Sequence, residues 1–462
     1  MTTISQIISN KSKAFNYDGI PQQVRERARH LILDAFGIAF ASTRFDFSRH
    51  TLDGLQMLSE GTTGDVPVVG MDARLPVRDA AVMNGLLIHG LDYDDTHPSG
   101  IIHATASVIT AVTALGYKQD TSGQDLLTAY VLGIEVATRL GAAAHGEFHQ
   151  VGFHPTGLIG AFGCTAAAGW LLGLTEAQLT HAQGITLSFA AGSMEFLQDG
   201  AWTKRIHPGW AAQCAITAAT LAKNGFVGPR ETYEGRFGLF ASHLGKQFQL
   251  DGLQESINTI GTVWELMNVA IKPIPACHFT HASVDAAAVL HKDLALEEIA
   301  RIVAKVPAGV MKTVCEPVEN KKKPANAYEA QFSIPYSVAT GLRYGRFGLD
   351  ALEEAAYTDA TTLAIAEKVE SQADPDADFP KYYSGEVIVE LQDGRRLSHR
   401  EHINRGADTR PITNEEIVVK FRENAATVLQ ADAIDQVESL IRNIEKHNAR
   451  EVMNGMSKGA QK

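Results

Sequence analysis

VGFHPTGLIGAFGCTAAAGWLLGLT, residues 151–175, contains no Asp, Glu, Lys or Arg. It is long enough to cross a bilayer, yet His154, Pro155 and Thr156 open it, glycines recur through it, and it runs straight into TEAQLTHAQG. Thr175 and Gln178 have the spacing of a capping box, in which each residue satisfies a backbone N–H of the other's turn. The stretch therefore reads as helix buried inside a helical core, continued by a second helix over 175–190.

Working outward, the same Ala- and Gly-rich apolar pattern marks helices at 21–40, 80–89, 122–140 and 208–222, with Ser122 as a cap candidate. The character changes near KPIPACHFTH (272–281). Beyond it a strand is expected within 297–310 and a hairpin over 385–390 and 395–399 around Asp393-Gly394. Two further helices are expected in this part, one after Asp285 and one over 336–344. Helix resumes at PITNEEIVVKF, capped at Thr413, and again over 434–447. The fold class expected is mainly α with an α+β part: a large, discontinuous all-helical domain, 1–267 plus 401–462, carrying an inserted smaller α/β domain, 268–400. SKGAQK at the C-terminus is expected to fray.

The chain has 462 residues, room for two such domains. Lys plus Arg total 41 against 53 Asp plus Glu, a formal charge of −12, and no basic stripe offsets it. Such a field repels a phosphate backbone, so nucleic acid is not an expected partner. Cys164, Cys214, Cys277 and Cys315 show no CxxC or finger spacing, which points to reduced, buried thiols. The N-terminus lacks a secretory pattern, so a cytoplasmic location and no membrane association are expected.

Ionisable groups sit inside apolar surroundings in five segments: HGLDYDDTHPSGIIHA (89–104), GFHPTG (152–157), WTKRIHPGW (202–210), KPIPACHFTH (272–281) and FSIPYS (332–337). Buried charge is costly unless it is paired or used. Each segment has a plain reading. Asp92, Asp94, Asp95 and Thr96 suit a helix end, His103 and His154 suit satisfied core histidines, and Lys204 with Arg205 suits a surface. Together they suit a site in which imidazoles exchange protons while a lysine or arginine holds a carboxylate. His278 and His281 lie three apart, but no HExxH pattern or third carboxylate supports zinc. No GxSxG, P-loop or GxGxxG signature is present, which leaves hydrolase, NTPase and nucleotide-cofactor chemistry without local support.

The segments NGLLIHGLDYDDTH, HATASVITA, GFHPTG, TKRIHPGWAAQ, EGRFGLF, KPIPACHFTH and FSIPYSVA, in this order, resemble the MmgE/PrpD family over nearly the whole chain. That family includes 2-methylcitrate dehydratases, cis-aconitate decarboxylases and an iminodisuccinate epimerase. The resemblance implies a helical domain with a small α/β lid, a homodimer, no organic cofactor and a small polycarboxylate as substrate; no metal is expected, because the segments around Asp92, Asp94 and Asp95 bring histidines and a lysine but no further carboxylate cluster. Matched motif by motif, it implies functional roles for Asp92, Thr96, His103, His154 and Lys204, with His278 and Tyr336 from the lid and His281 competing with His278. The family's HPS reads His103-Ala104-Thr105 here, and the stretch from Asp95 to His103 is shorter than in typical 2-methylcitrate dehydratases, which reshapes the substrate wall.

The activity expected is that of a cofactor-independent lyase of the dehydratase type. His103 or His154 moves a proton beside a carboxylate, and Asp92 orients an imidazole. Lys204, Arg205, Thr96 and a lid histidine bind carboxylates, and Tyr336 acts as a proton donor. Epimerisation of an iminodisuccinate-like acid and decarboxylation of a cis-aconitate-type acid pass through a related carbanion and stand as alternatives.

Overall fold

The computed structural model describes residues 2–457, so the expected fraying of SKGAQK lies, Ser457 apart, outside the described residues. The chain is mainly helical with an α+β part, and it divides into two compact units. The first takes the described residues up to Met194, Thr203–Val269 and those from Thr413 onward; the second takes Glu195–Trp202 and Ala270–Ile412. The sequence places the boundaries at 267/268 and 400/401, where the structure divides at 269/270 and 412/413. It gives no hint of Glu195–Trp202, which belongs to the second unit through contacts distant in sequence: the Phe196 ring lies 6.0 Å from Tyr328 and 6.2 Å from Phe332.

In the helical unit, Gly160–Leu171 is buried from Gly160 to Gly169 and packs among Ala104–Gln119, Gly123–Ala142, Glu176–Leu187 and Thr203–Lys223. Among the described residues no helix is long and apolar enough to cross a membrane. The single helix expected from residue 151 begins only at Pro155, as Pro155–Leu158 and then Gly160–Leu171. His154 precedes the proline with extended backbone, φ −81° and ψ 109°, because proline's ring disfavours helical backbone in the residue before it. The Thr175–Gln178 capping box forms, and so does one between Thr413 and Glu416. All four cysteines are buried as thiols.

The helix expected at 208–222 instead runs Thr203–Lys223, with Pro208 inside it. Proline has no N–H to offer the carbonyl one turn back, and as the sixth residue of this helix it lies just beyond the first turn, whose N–H groups have no intrahelical acceptor. This helix crosses Val77–His89 at two glycines. A Cβ on Gly85 would meet Gly209 Cα at 2.6 Å, and one on Gly209 would meet Val82 O at 2.3 Å. The two backbones therefore touch, and this contact brings the C-terminal end of one helix to the N-terminal end of the other.

The α/β unit holds a four-stranded sheet. Central Ile299–Pro307 runs parallel to Val369–Asp374, Ile302 opposite Val369, and antiparallel to Gly385–Leu391, Val303 opposite Ile388. Arg396–Glu401 closes the other edge, with Gly394 at φ 88° in the expected hairpin turn. Helices His281–Leu290 and Ile334–Tyr344 pack against the sheet and each other.

Candidate active site

Helix Val77–His89 ends in a turn that bonds Asp92 N to His89 O at 3.0 Å and puts Asp92 at φ 48°. Left-handed backbone is uncommon outside glycine, and here it starts a run of buried polar groups: Asp92, Asp94, Asp95, Thr96 and His97 are each no more than 2% exposed. Two backbone bonds between His97 and Ile102 close the following loop. The chain then enters helix Ala104–Gln119 with His103 at its N-cap, the His103 N–H donating to Thr156 Oγ1 at 3.0 Å.

Around this turn the helical unit gathers four imidazoles, a lysine and two carboxylates. Lys204 Nζ donates to Asp92 Oδ1 at 2.6 Å, both side chains buried. His103 Nδ1 lies 2.7 Å from the Asp95 carbonyl oxygen and 3.3 Å from Thr96 Oγ1. A carbonyl only accepts, so Nδ1 carries the proton and Nε2, 3.9 Å from Asp92 Oδ1, is the basic nitrogen. His89 Nδ1 donates to the Asp94 carboxylate, 2.8 Å and 3.0 Å from its two oxygens. His154 Nδ1 and His207 Nδ1 are 3.0 Å apart, close enough to share one proton. Ring centroids separate His89 from His103 by 4.8 Å, His89 from His154 by 5.5 Å and His103 from His154 by 5.9 Å.

Burial sets the protonation of this cluster. Loss of water pushes the His154 imidazole well below its ordinary range, and Lys204 with the neighbouring rings pushes it further. His207 falls to about 3, mainly from burial and then from His89 and Lys204. Burial also lowers His89, outweighing the Asp94 carboxylate. Asp95 rises to about 7 because its carboxyl is buried and Asp94 and Asp34 lie close, although a bond from Thr105 opposes the shift. Burial thus favours the neutral rings of His89, His154 and His207 beside the Lys204–Asp92 ion pair.

Of the residues singled out from sequence, Asp92, Thr96, His103, His154 and Lys204 come together. Arg205 points elsewhere: its Nε donates to Gly90 O at 2.8 Å and its guanidinium lies over the Phe47 ring at 4.4 Å. The others belong to the α/β unit. There His278 Nε2 takes a bond from Asn404 Nδ2 at 2.8 Å, and wholly buried His281 donates from Nε2 to Ala276 O at 3.1 Å. Tyr336, 1% exposed in a cluster with Ile274, Val284 and Phe347, donates its hydroxyl to Ala351 O at 2.7 Å. The sequence reading gives no role to His89 or His207, although both lie in segments it singles out, 89–104 and 202–210. Their position at facing helix ends is the signal that would have found them.

Among the described residues two groupings are compact enough to be considered for a cation: His89, His103 and His154, and His89, Asp92, Asp94 and His103. In the second, the Lys204 ammonium already sits 2.6 Å from Asp92 and His89 donates a proton to Asp94. A divalent ion would have to displace both.

Residues 6–251 match the MmgE/PrpD N-terminal domain and residues 274–446 the MmgE/PrpD C-terminal domain. The chain is 30% identical over 458 residues to a cis-aconitate decarboxylase of Homo sapiens, covering 95% of this chain and 91% of that protein. It is 29% identical over 457 residues to a cis-aconitate decarboxylase of Mus musculus, covering 94% and 89%. It is 26% identical over 456 residues to one of Aspergillus terreus, covering 93% and 90%. With both domain types matched in order along most of its length, the chain belongs to the MmgE/PrpD family.

Proposed function

We propose that this protein is a lyase of a small tricarboxylate, with cis-aconitate the first candidate substrate and loss of carbon dioxide its reaction. The names of the relatives support the substrate class. The observation that carries the chemistry is the Lys204–Asp92 pair at 2.6 Å, buried beside His103 and His154. In the proposed reaction the bond from the methylene carbon to its carboxylate breaks and its electron pair forms a new C=C. The original alkene pair moves onto the carbon bearing another carboxylate, which then takes a proton. Enolate-like charge at that carbon is stabilised by a fixed cation in a dry site, and no organic cofactor or metal is needed for the electron movement.

Lys204 and Thr96 take carboxylates in this reading, Asp92 holds the ammonium in place, and His103 or His154 delivers the proton. A neighbouring trianion favours the charged imidazole, so binding itself loads the ring that acts as the acid. Arg205 is assigned a positioning role, steadying the Gly90–Asp92 turn through the Gly90 carbonyl. On the family resemblance His278 is preferred as a carboxylate ligand to His281, whose Nε2 proton is committed to Ala276 O. Tyr336 acts as a donor only by leaving Ala351 O. A cytoplasmic homodimer completes the proposal, on the family resemblance, with light scattering of the purified protein to check the dimer.

The test is incubation with cis-aconitate, 2-methylcitrate, citrate and iminodisuccinate in deuterated water, followed by NMR. Carbon dioxide with a deuterium-labelled methylene dicarboxylate from cis-aconitate supports the reading. Alkene formed from 2-methylcitrate alone replaces it with dehydration, and deuterium entering iminodisuccinate with inversion replaces it with epimerisation. Activity abolished by a chelator and restored by one metal ends the metal-free mechanism.

A further inference from the structure

We propose that His89, fixed by Asp94, is a positioning residue of the same site. Its Nε2 accepts a hydrogen bond from the imidazole that carries the transferred proton. The proposal rests on the lyase reading above and adds a residue to it. His89 closes helix Val77–His89, and its side chain has no exposure. The Asp94 carboxylate can only accept, so its contacts of 2.8 Å and 3.0 Å fix the proton on His89 Nδ1 and leave a lone pair on Nε2. That Nε2 is buried and has no hydrogen-bond partner among the described residues, and an unsatisfied buried polar atom calls for a reason.

The surroundings supply one. A ring nitrogen of His89, one of His103 and one of His154 all lie within 4.8 Å of one another. The rings are close but not yet bonded, since His89 Nε2 has no partner in the unliganded site, so the proposed bond forms when a protonated neighbouring ring moves within hydrogen-bond distance. When His103 takes a proton on Nε2, its Nδ1–H stays with the Asp95 carbonyl, and the new N–H, 3.9 Å from an Asp92 oxygen that Lys204 already engages, has need of a second acceptor. His89 Nε2 meets that need without carrying charge, and Asp94 holds the ring so that it does not turn its N–H toward the cluster. The arrangement is the one by which a carboxylate orients a histidine through its far nitrogen, moved one residue away from the reacting atoms.

The experiment pairs kinetics on cis-aconitate with nitrogen-15 NMR of histidine-labelled protein. His89→Ala is expected to lower kcat about 100-fold with KM within about twofold, and His89→Gln, which keeps an acceptor oxygen, to recover about tenfold of that. Asp94→Asn is expected to lower kcat likewise, and the double variant to be no slower than the slower single one, because the pair acts as a unit. Equal kcat for wild type and His89→Ala, or additive losses in the double variant, overturns the proposal. If the variants fail to fold, the wild-type spectrum decides: His89 protonated on Nδ1 supports the dyad, and His89 protonated on Nε2 ends it. Absence of turnover by the wild type on every acid tested defeats the lyase reading instead, and is distinguished from failure of the dyad by that same spectrum.

Discussion

The helical unit contains two buried lysine–aspartate pairs of nearly identical geometry and unlike surroundings. Lys204 meets Asp92 at 2.6 Å and Lys420 meets Asp34 at 2.7 Å, all four side chains almost wholly buried. Around Lys204 stand imidazoles and the strained turn at Asp92. Lys420 instead donates to the Tyr93 carbonyl at 2.9 Å and lies 3.7 Å over the Tyr93 ring, so its remaining directions are filled by protein. Burial pushes the Asp34 carboxyl up even with Lys420 beside it, the mark of a pair whose desolvation is only partly repaid. A buried ion pair is therefore not itself a sign of chemistry. What separates the two is whether the neighbours can exchange protons.

That contrast can be broken by substitution. Lys204→Ala is expected to lower kcat/KM on cis-aconitate about 10²–10³-fold, the loss typical of one fixed donor to developing negative charge, while far-ultraviolet circular dichroism stays that of wild type. His103→Ala should cost roughly 10²-fold; turnover equal to wild type in both variants would remove the proton-transfer cluster from the mechanism. Lys420→Met is expected to do the reverse. Leaving Asp34 buried and unpaired should lower unfolding free energy by about 3–5 kcal/mol in urea titrations, with kcat per folded molecule unchanged.

A smaller effect sharpens the comparison through pH. The Asp95 carboxyl is raised from its ordinary 3.8 to about 7. The stability linked to its proton is present below the unfolded value and is lost as pH rises through the folded one. Asp95→Asn, which keeps an oxygen for the Thr105 N–H but cannot ionise, should therefore melt a few degrees above wild type at pH 8, with the gap closing toward pH 4. A gap independent of pH would place the raised carboxyl elsewhere.

Much of this was legible in the sequence because the signals were local. Thr175 with Gln178 and Thr413 with Glu416 announce helix starts through contacts three residues apart, and Asp393-Gly394 announces a hairpin. The edge strand Val369–Asp374, VESQAD, escaped notice because only its two end residues are buried, so it shows no alternation; its pairing with Ile299–Pro307 fixes it. The small hairpin of Val66–Pro67 with Arg74–Leu75 was likewise too short to show a period. At the site, residue type marked Lys204 and His103, while direction stayed hidden. Arg205, next to Lys204 on the same helix, turns to Phe47, and Tyr336 turns to a backbone carbonyl. His89 is marked in the sequence only by its place at the end of an apolar helix, where a histidine usually packs quietly, and the crossing of two helices reveals what it faces.

The crossing at Gly85 and Gly209 bears on how such a pocket can be re-engineered. Backbone meets backbone there with no side chain between, so there is nothing to trim or lengthen, and the gauge between the helix ends carrying His89 and Lys204 is set once. A designer seeking room for a bulkier acid would do better to rebuild the short loop pinned between His97 and Ile102, whose length is adjustable, than to widen the rails on which the reacting groups ride.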